Sequence, residues 1–252
     1  MSQIKQSFAW WCFGRGAADP VRLLREAQRI GYAGVELLPA ELWDYARAAG
    51  LTIVSEGAGQ IAVGLNRREH HAGVEAEVKA KLELAVRYGI PNLIVFSGNR
   101  GGLSDEEGAL VTAEGLRRIA PAAAARGITL VLELLNSKVD HVDYQCDHTA
   151  WARLVMALVN SPAVKLLYDI YHMQIMEGDI IRTIQQAAPL IGHVHTAGVP
   201  GRHDLDDSQE LNYPAIMRAL KDAGYTGFVG QEFIPRGDPV EALAAAYRLC
   251  DV

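Results

Sequence analysis

Four short stretches each bring an ionisable side chain to the end of an apolar run: Glu133 in TLVLELLN, Asp169 in VKLLYDIYH, His195 in GHVHTAG and Glu232 in GFVGQEFIP. Short apolar runs of this kind read as buried strands. Alternate residues of a strand share a face, which groups Val131, Glu133 and Leu135, Leu167 with Asp169, and His193 with His195. Four successive strands therefore each aim a polar group at one mouth. Carboxylates crowded together repel and raise one another's pKa, and a divalent cation removes that penalty. Three carboxylates with one imidazole suit Mn2+, Mg2+ or Co2+ and tolerate Zn2+. Taken singly, each residue has a structural alternative: a helix cap or surface carboxylate, and for His193 a hydrogen-bonded core histidine. Glu36 and Glu56 also lie near strand ends, with substrate binding and a structural role both open. His70 and His71 open a helix and are expected in solvent.

The elements that must position these groups alternate regularly. Strands are expected at 7–12, 34–38, 51–56, 92–97, 129–135, 164–170, 192–197 and 228–233, each followed by a helical segment. In the segment before Gly89, the residues Val74, Val78, Leu82 and Val86 recur every fourth position and form one apolar face. Gly31, Gly50, Gly89, Gly127 and Gly224 precede strands and read as left-handed helix stops. Asp19-Pro20, Ser104 with Glu107, and Asp238-Pro239 read as helix starts. Eight strand–helix units suggest an α/β chain, a single-domain (β/α)8 TIM barrel over residues 1–252, whose chemistry is expected at the C-terminal strand ends. A doubly wound open sheet would call for a glycine-rich phosphate turn after the first strand, and WCFGRGAADP offers only Gly14 and Gly16.

The chain has 252 residues, 50% hydrophobic and 21% charged, which is enough apolar content for one sizeable soluble core. Its net charge of −6, without a basic run, argues against nucleic acid as a partner. No apolar stretch approaches the roughly 18 residues of a membrane span, and no charged leader precedes an apolar core. Cys12, Cys146 and Cys250 are too far apart for a disulfide framework or a metal knuckle. A reduced, cytoplasmic protein without membrane contact is expected.

The motifs TLVLELLN, LLYDIYHMQIMEGD, HVHTAGVPGRHD followed by ELNY, and GFVGQEFIP resemble the hydroxypyruvate isomerase-like branch of the sugar isomerase/epimerase barrels. Xylose isomerase-like and endonuclease IV-like proteins are more distant members of that superfamily. The resemblance runs from about Val35 to Asp251 and is densest after Thr129. It implies one divalent metal ion on Glu133, Asp169, His195 and Glu232, no organic cofactor, and a homodimer or homotetramer. It implies that His172, three residues past the aspartate, and Arg202, in the loop after the seventh strand, bind the substrate. One position departs from the pattern: hydroxypyruvate isomerases often carry glutamine where this chain has His195, whereas the ketose epimerases carry histidine.

The implied reaction moves a proton between adjacent carbons of a small hydroxy-carbonyl compound, such as hydroxypyruvate or a short sugar, through an enediolate. Glu133 and Glu232 are the expected acid/base pair, on opposite faces of the substrate. Reprotonation of the same carbon would give a ketose 3-epimerase, and loss of a hydroxyl a dehydratase or lyase. A DNA-repair endonuclease would need a basic face and more histidine ligands. A non-catalytic sugar-binding protein would need no proton transfer. Trp10, Trp11 and Phe13 are either an apolar wall of the pocket or core, and the long stretches 56–71 and 96–107 are expected to line the pocket or a subunit contact.

Overall fold

A computed structural model describes residues 4–15 and 17–252; Gly16, weighed above as part of a phosphate turn, lies outside them. The strands in chain order are β1 (Lys5–Ala9), β2 (Gly34–Glu36), β3 (Thr52–Ile53), β4 (Ser55–Gly57), β5 (Asn92–Val95), β6 (Thr129–Glu133), β7 (Val164–Asp169), β8 (Ile191–Thr196) and β9 (Phe228–Gln231). The α-helices are α1 (Trp10–Phe13), α2 (Pro20–Ile30), α3 (Trp43–Ala48), α4 (Arg68–Tyr88), α5 (Asp105–Ala124), α6 (Thr149–Val159), α7 (Ile170–Met176), α8 (Ile180–Ala187), α9 (Tyr213–Asp222) and α10 (Pro239–Cys250).

The chain forms two compact units. The first comprises the described residues through Ser55 with Asp179–Pro189 and Val194–Val252. The second comprises Glu56–Gly178 and Leu190–His193. In the first the strand order is β3-β2-β1-β9-β8, every pair parallel. In the second it is β8-β7-β6-β5-β4, with β5, β6 and β7 paired in parallel. Strand β8 belongs to both, its first residues to one unit and its last to the other. Parallel strands joined by helices are buried on both faces, which is why these runs read as continuously apolar rather than alternating.

Every expected strand is present, with two differences. The third splits at Val54, which donates its N–H to Val35 O at 2.8 Å while Leu37 N–H donates to Ser55 O at 3.1 Å. The residues on either side of Val54 then form β3 and β4, so nine short strands replace eight among the described residues. The first strand stops at Ala9 rather than Cys12, because its neighbour β2 ends at Glu36, paired to Ala9. Without a partner the chain turns into α1, with Gly14 N–H on Trp10 O at 2.7 Å.

The expected helix starts hold. Asp19, Ser104 and Asp238 accept from the N–H groups of Arg22, Glu107, and Val240 with Glu241. The five glycines expected to end helices all have positive φ. On α4, Val74, Val78 and Leu82 are buried, but Val86 is 54% exposed and Ala85 takes its place. A fourth-residue spacing overshoots a turn by about 40° per step and so drifts off the buried face. No helix of the described residues is long and apolar enough to cross a membrane.

Candidate active site

In the first unit, β9 delivers Glu232, β8 delivers His195 and β2 ends on Glu36. His195 lies opposite Gly230 in the β8–β9 ladder. A Cβ at Gly230 would come within 2.0 Å of Glu36 Oε1, so the absence of a side chain there lets the Glu36 carboxylate reach His195. Glu36 is fully buried and accepts from Ser7 Oγ at 2.7 Å and Ser55 Oγ at 2.8 Å. Its Oε2 lies 3.1 Å from His195 Nε2. The other ring nitrogen, Nδ1, lies 3.0 Å from Glu232 Oε2.

Glu232 has two further partners. Trp11 Nε1–H donates to its Oε1 at 2.8 Å, and Arg202 Nη2–H donates to its Oε2 at 2.5 Å. The Arg202 guanidinium also sits 5.4 Å above the Trp11 ring. Burial alone would raise the Glu232 carboxyl. The charges of His195 and Arg202, with hydrogen bonds from His195 and Trp11, outweigh it and hold the group at about 2.

In the second unit, Glu133 and Asp169 are the last residues of β6 and β7 and are 6% and 1% exposed. A carboxylate oxygen of each lies within 4.8 Å of the other. Asp169 Oδ1 accepts from the His172 N–H at 3.0 Å and so starts α7. This cap explains the Asp-x-x-His spacing: one turn of helix returns the imidazole to the carboxylate, with His172 Nε2 3.6 Å from Asp169 Oδ2. His172 Nδ1 lies 2.6 Å from Asn136 Nδ2. Asn136 is an unforeseen member of the site; the signal was its place three residues beyond Glu133 in the same motif.

Two buried carboxylates this close repel unless a proton or a cation lies between them, and as oxygen donors they fit a hard divalent ion. His195 with Glu232 offers an imidazole nitrogen and a carboxylate, and the donor atoms of both pairs are buried and could hold a metal ion.

Other expected positions resolve differently. His71 is not in solvent: it is 2% exposed, with Nε2 2.8 Å from Leu65 O. Its ring packs on α5 where Gly115 leaves room, since a Cβ there would lie 2.8 Å from His71 Nε2. His70 is half-buried near Gly64 O. Glu56 pairs with Lys81 at 2.9 Å, and burial raises its carboxyl despite that partner. Arg100 pairs with Asp147 at 2.9 Å and with Asp105. Trp10 and Phe13 are buried, Phe13 edge-on to Phe233 at 4.9 Å, which leaves Trp11 as the aromatic of that trio at the site.

The family described as xylose isomerase-like TIM barrel matches residues 24–250. A human protein provisionally named hydroxypyruvate isomerase is 33% identical over 256 aligned residues, covering 93% of this chain and 90% of its own. A 2-oxo-tetronate isomerase from Cupriavidus necator is 32% identical over 219 residues, 82% of this chain and 84% of its own. A solved structure described as an AP endonuclease, family 2, from Brucella melitensis matches with a TM-score of 0.85 at 29% identity, covering 96% of this chain and 98% of that one. The chain belongs to the xylose isomerase-like TIM-barrel family. Within that family it stands in the hydroxypyruvate isomerase-like branch and is an isomerase.

Proposed function

We propose that the chain is a divalent-metal-dependent isomerase of a small hydroxy-carbonyl compound, in the class of hydroxypyruvate, tartronate semialdehyde and 2-oxo-tetronate. The observation that carries this reading is the chemistry of the buried strand-end groups: three carboxylates and one imidazole, on residues 133, 169, 195 and 232. The names of the relatives point to the same substrate class, a carbonyl beside a hydroxylated carbon. The family match runs across both compact units, which supports a single barrel domain over residues 1–252.

On this reading Glu133, Asp169, His195 and Glu232 together hold one ion, Mn2+ or Mg2+ by preference and Co2+ or Zn2+ by tolerance. When bound, the ion supplies positive charge for an enediolate's oxygens. Glu133 and Glu232 remove and return the proton. Arg202, a forked donor bonded to Glu232, would exchange that partner for a carboxylate or hydroxyl of the substrate. His172 binds a substrate oxygen. Trp11 holds Glu232 through Oε1, the carboxylate oxygen that Arg202 Nη2 does not bond.

A second reading has one specific observation behind it. His195 is the residue that the ketose epimerases carry where hydroxypyruvate isomerases often have glutamine. With the same groups, returning the proton to the same carbon from the other face gives a ketose 3-epimerase.

Offering the metal-loaded protein a panel of hydroxy-oxo acids and short ketoses, with products read by NMR, separates the two. Conversion of a hydroxy-oxo acid is expected. Glu133→Gln and Glu232→Gln should each lower turnover on the order of 10^2–10^4-fold with unchanged circular dichroism. Near-normal turnover in either variant would remove that residue from the acid/base pair. Epimerised ketose with no isomerised acid would establish the second reading.

A further inference from the structure

An asparagine side chain can be turned end for end unless its neighbours tell oxygen from nitrogen. The neighbours of Asn136 do. One of its terminal atoms faces the backbone N–H of Val139 at 3.0 Å and of Asp140 at 2.9 Å. Backbone amides only donate, so this atom is the carbonyl oxygen. The other atom is therefore the amide nitrogen. It faces Asp140 Oδ2 at 2.6 Å, an acceptor, and His172 Nδ1 at 2.6 Å. Asp140 Oδ2 is itself held by the Tyr171 hydroxyl at 2.9 Å. An N–H aimed at Nδ1 requires a lone pair there, and the ring proton then sits on Nε2.

We propose that Asn136 is a positioning residue that fixes His172 as its Nε2–H tautomer, making the imidazole a hydrogen-bond donor toward the site. The geometry around the ring supports one orientation. Asn136 and His172 are both fully buried, so water has no access to replace the amide. Tyr171 and His141 flank the imidazole at centroid distances of 5.1 and 5.3 Å. Nε2 points to Asp169, at 3.6 Å from its Oδ2. What His172 donates to during turnover rests on the isomerase reading above: a carbonyl or hydroxyl oxygen of the substrate, polarised by a neutral donor. The proton-abstracting role then falls to the carboxylates, because Nε2 carries a hydrogen and Nδ1 is covered by Asn136.

Histidine-labelled 15N NMR on the metal-free protein tests the tautomer directly, with His172 assigned by the signal that His172→Gln removes. The expected spectrum is that of a ring protonated on Nε2 with a lone pair on Nδ1. An Nδ1–H tautomer, or an imidazolium, would overturn the proposal before any variant is made. Asn136→Ala should then give a mixed tautomer signal and a kcat lower on the order of tenfold, with His172 still in a folded protein. A variant that loses thermal stability while its His172 signal and kcat stay as in the wild type would reduce Asn136 to packing and overturn the proposal. A wild-type Nε2–H ring in a protein that turns over none of the panel would leave this assignment standing and count against the isomerase reading instead.

Discussion

Ser7, Ser55 and His195 all face the buried carboxylate of Glu36, at 2.7, 2.8 and 3.1 Å. A proton on Nε2 satisfies that carboxylate, and an ion replacing the proton on Nδ1 would meet an imidazole already held by its usual outer partner. Glu36→Gln is therefore expected to weaken Mn2+ binding by roughly 10–100-fold in a calorimetric titration, with unchanged circular dichroism. Unchanged affinity would detach Glu36 from His195. Trp11→Phe keeps the ring but removes the donor to Glu232, a hydrogen bond to a buried charge. The expected loss in kcat/KM is about tenfold or more. The buried strand-end places of Glu133, Asp169, His195 and Glu232 were readable from sequence because each closes an apolar run. The Trp11 bond was not: its partner lies 221 residues away, and no local pattern encodes the pairing. Glu36 looked like any strand-end carboxylate until the ladder placed it beside His195.

Helix caps and close strand approaches set the tolerance of the elements. Asp238 satisfies two N–H groups at the start of α10, so Asp238→Ala should cost about 1 kcal/mol and lower Tm by about 2–4 °C without changing kcat. Gly230→Ala acts on the same scale but reaches the site. Its methyl would collide with Glu36 Oε1, so a loss of about 1–3 kcal/mol in stability should come with weakened metal binding. Normal metal affinity in a folded Gly230→Ala protein would contradict the placement of Glu36. The strands were readable from their apolar runs and the helix ends from glycine and capping residues, since both signals are local. The break at Val54 was not, because it depends on which neighbours each half meets. His71 escaped for a similar reason. Its burial depends on Gly115, on another helix, leaving space for the ring.

At the scale of the molecule, the proposed metal dependence makes stability depend on the ion. At a free concentration 100 times its Kd, such an ion adds about 2.7 kcal/mol, or roughly 5–10 °C in Tm. Melting curves with Mn2+ and with EDTA should differ by that amount in the wild type and converge in Glu133→Gln. No difference in the wild type would speak against the proposed ion.

The proposed reaction is proton transfer next to a carbonyl by these buried carboxylates. Its most direct test is solvent exchange: metal-loaded and EDTA-stripped protein, each offered hydroxypyruvate and related hydroxy-oxo acids in D2O and followed by NMR. Deuterium is expected at the carbon α to the carbonyl with the metal-loaded protein, and not after stripping or in Glu133→Gln. Conversion of a hydroxy-oxo acid without any deuterium uptake, or uptake that survives both stripping and the substitution, would exclude metal-dependent proton transfer by Glu133.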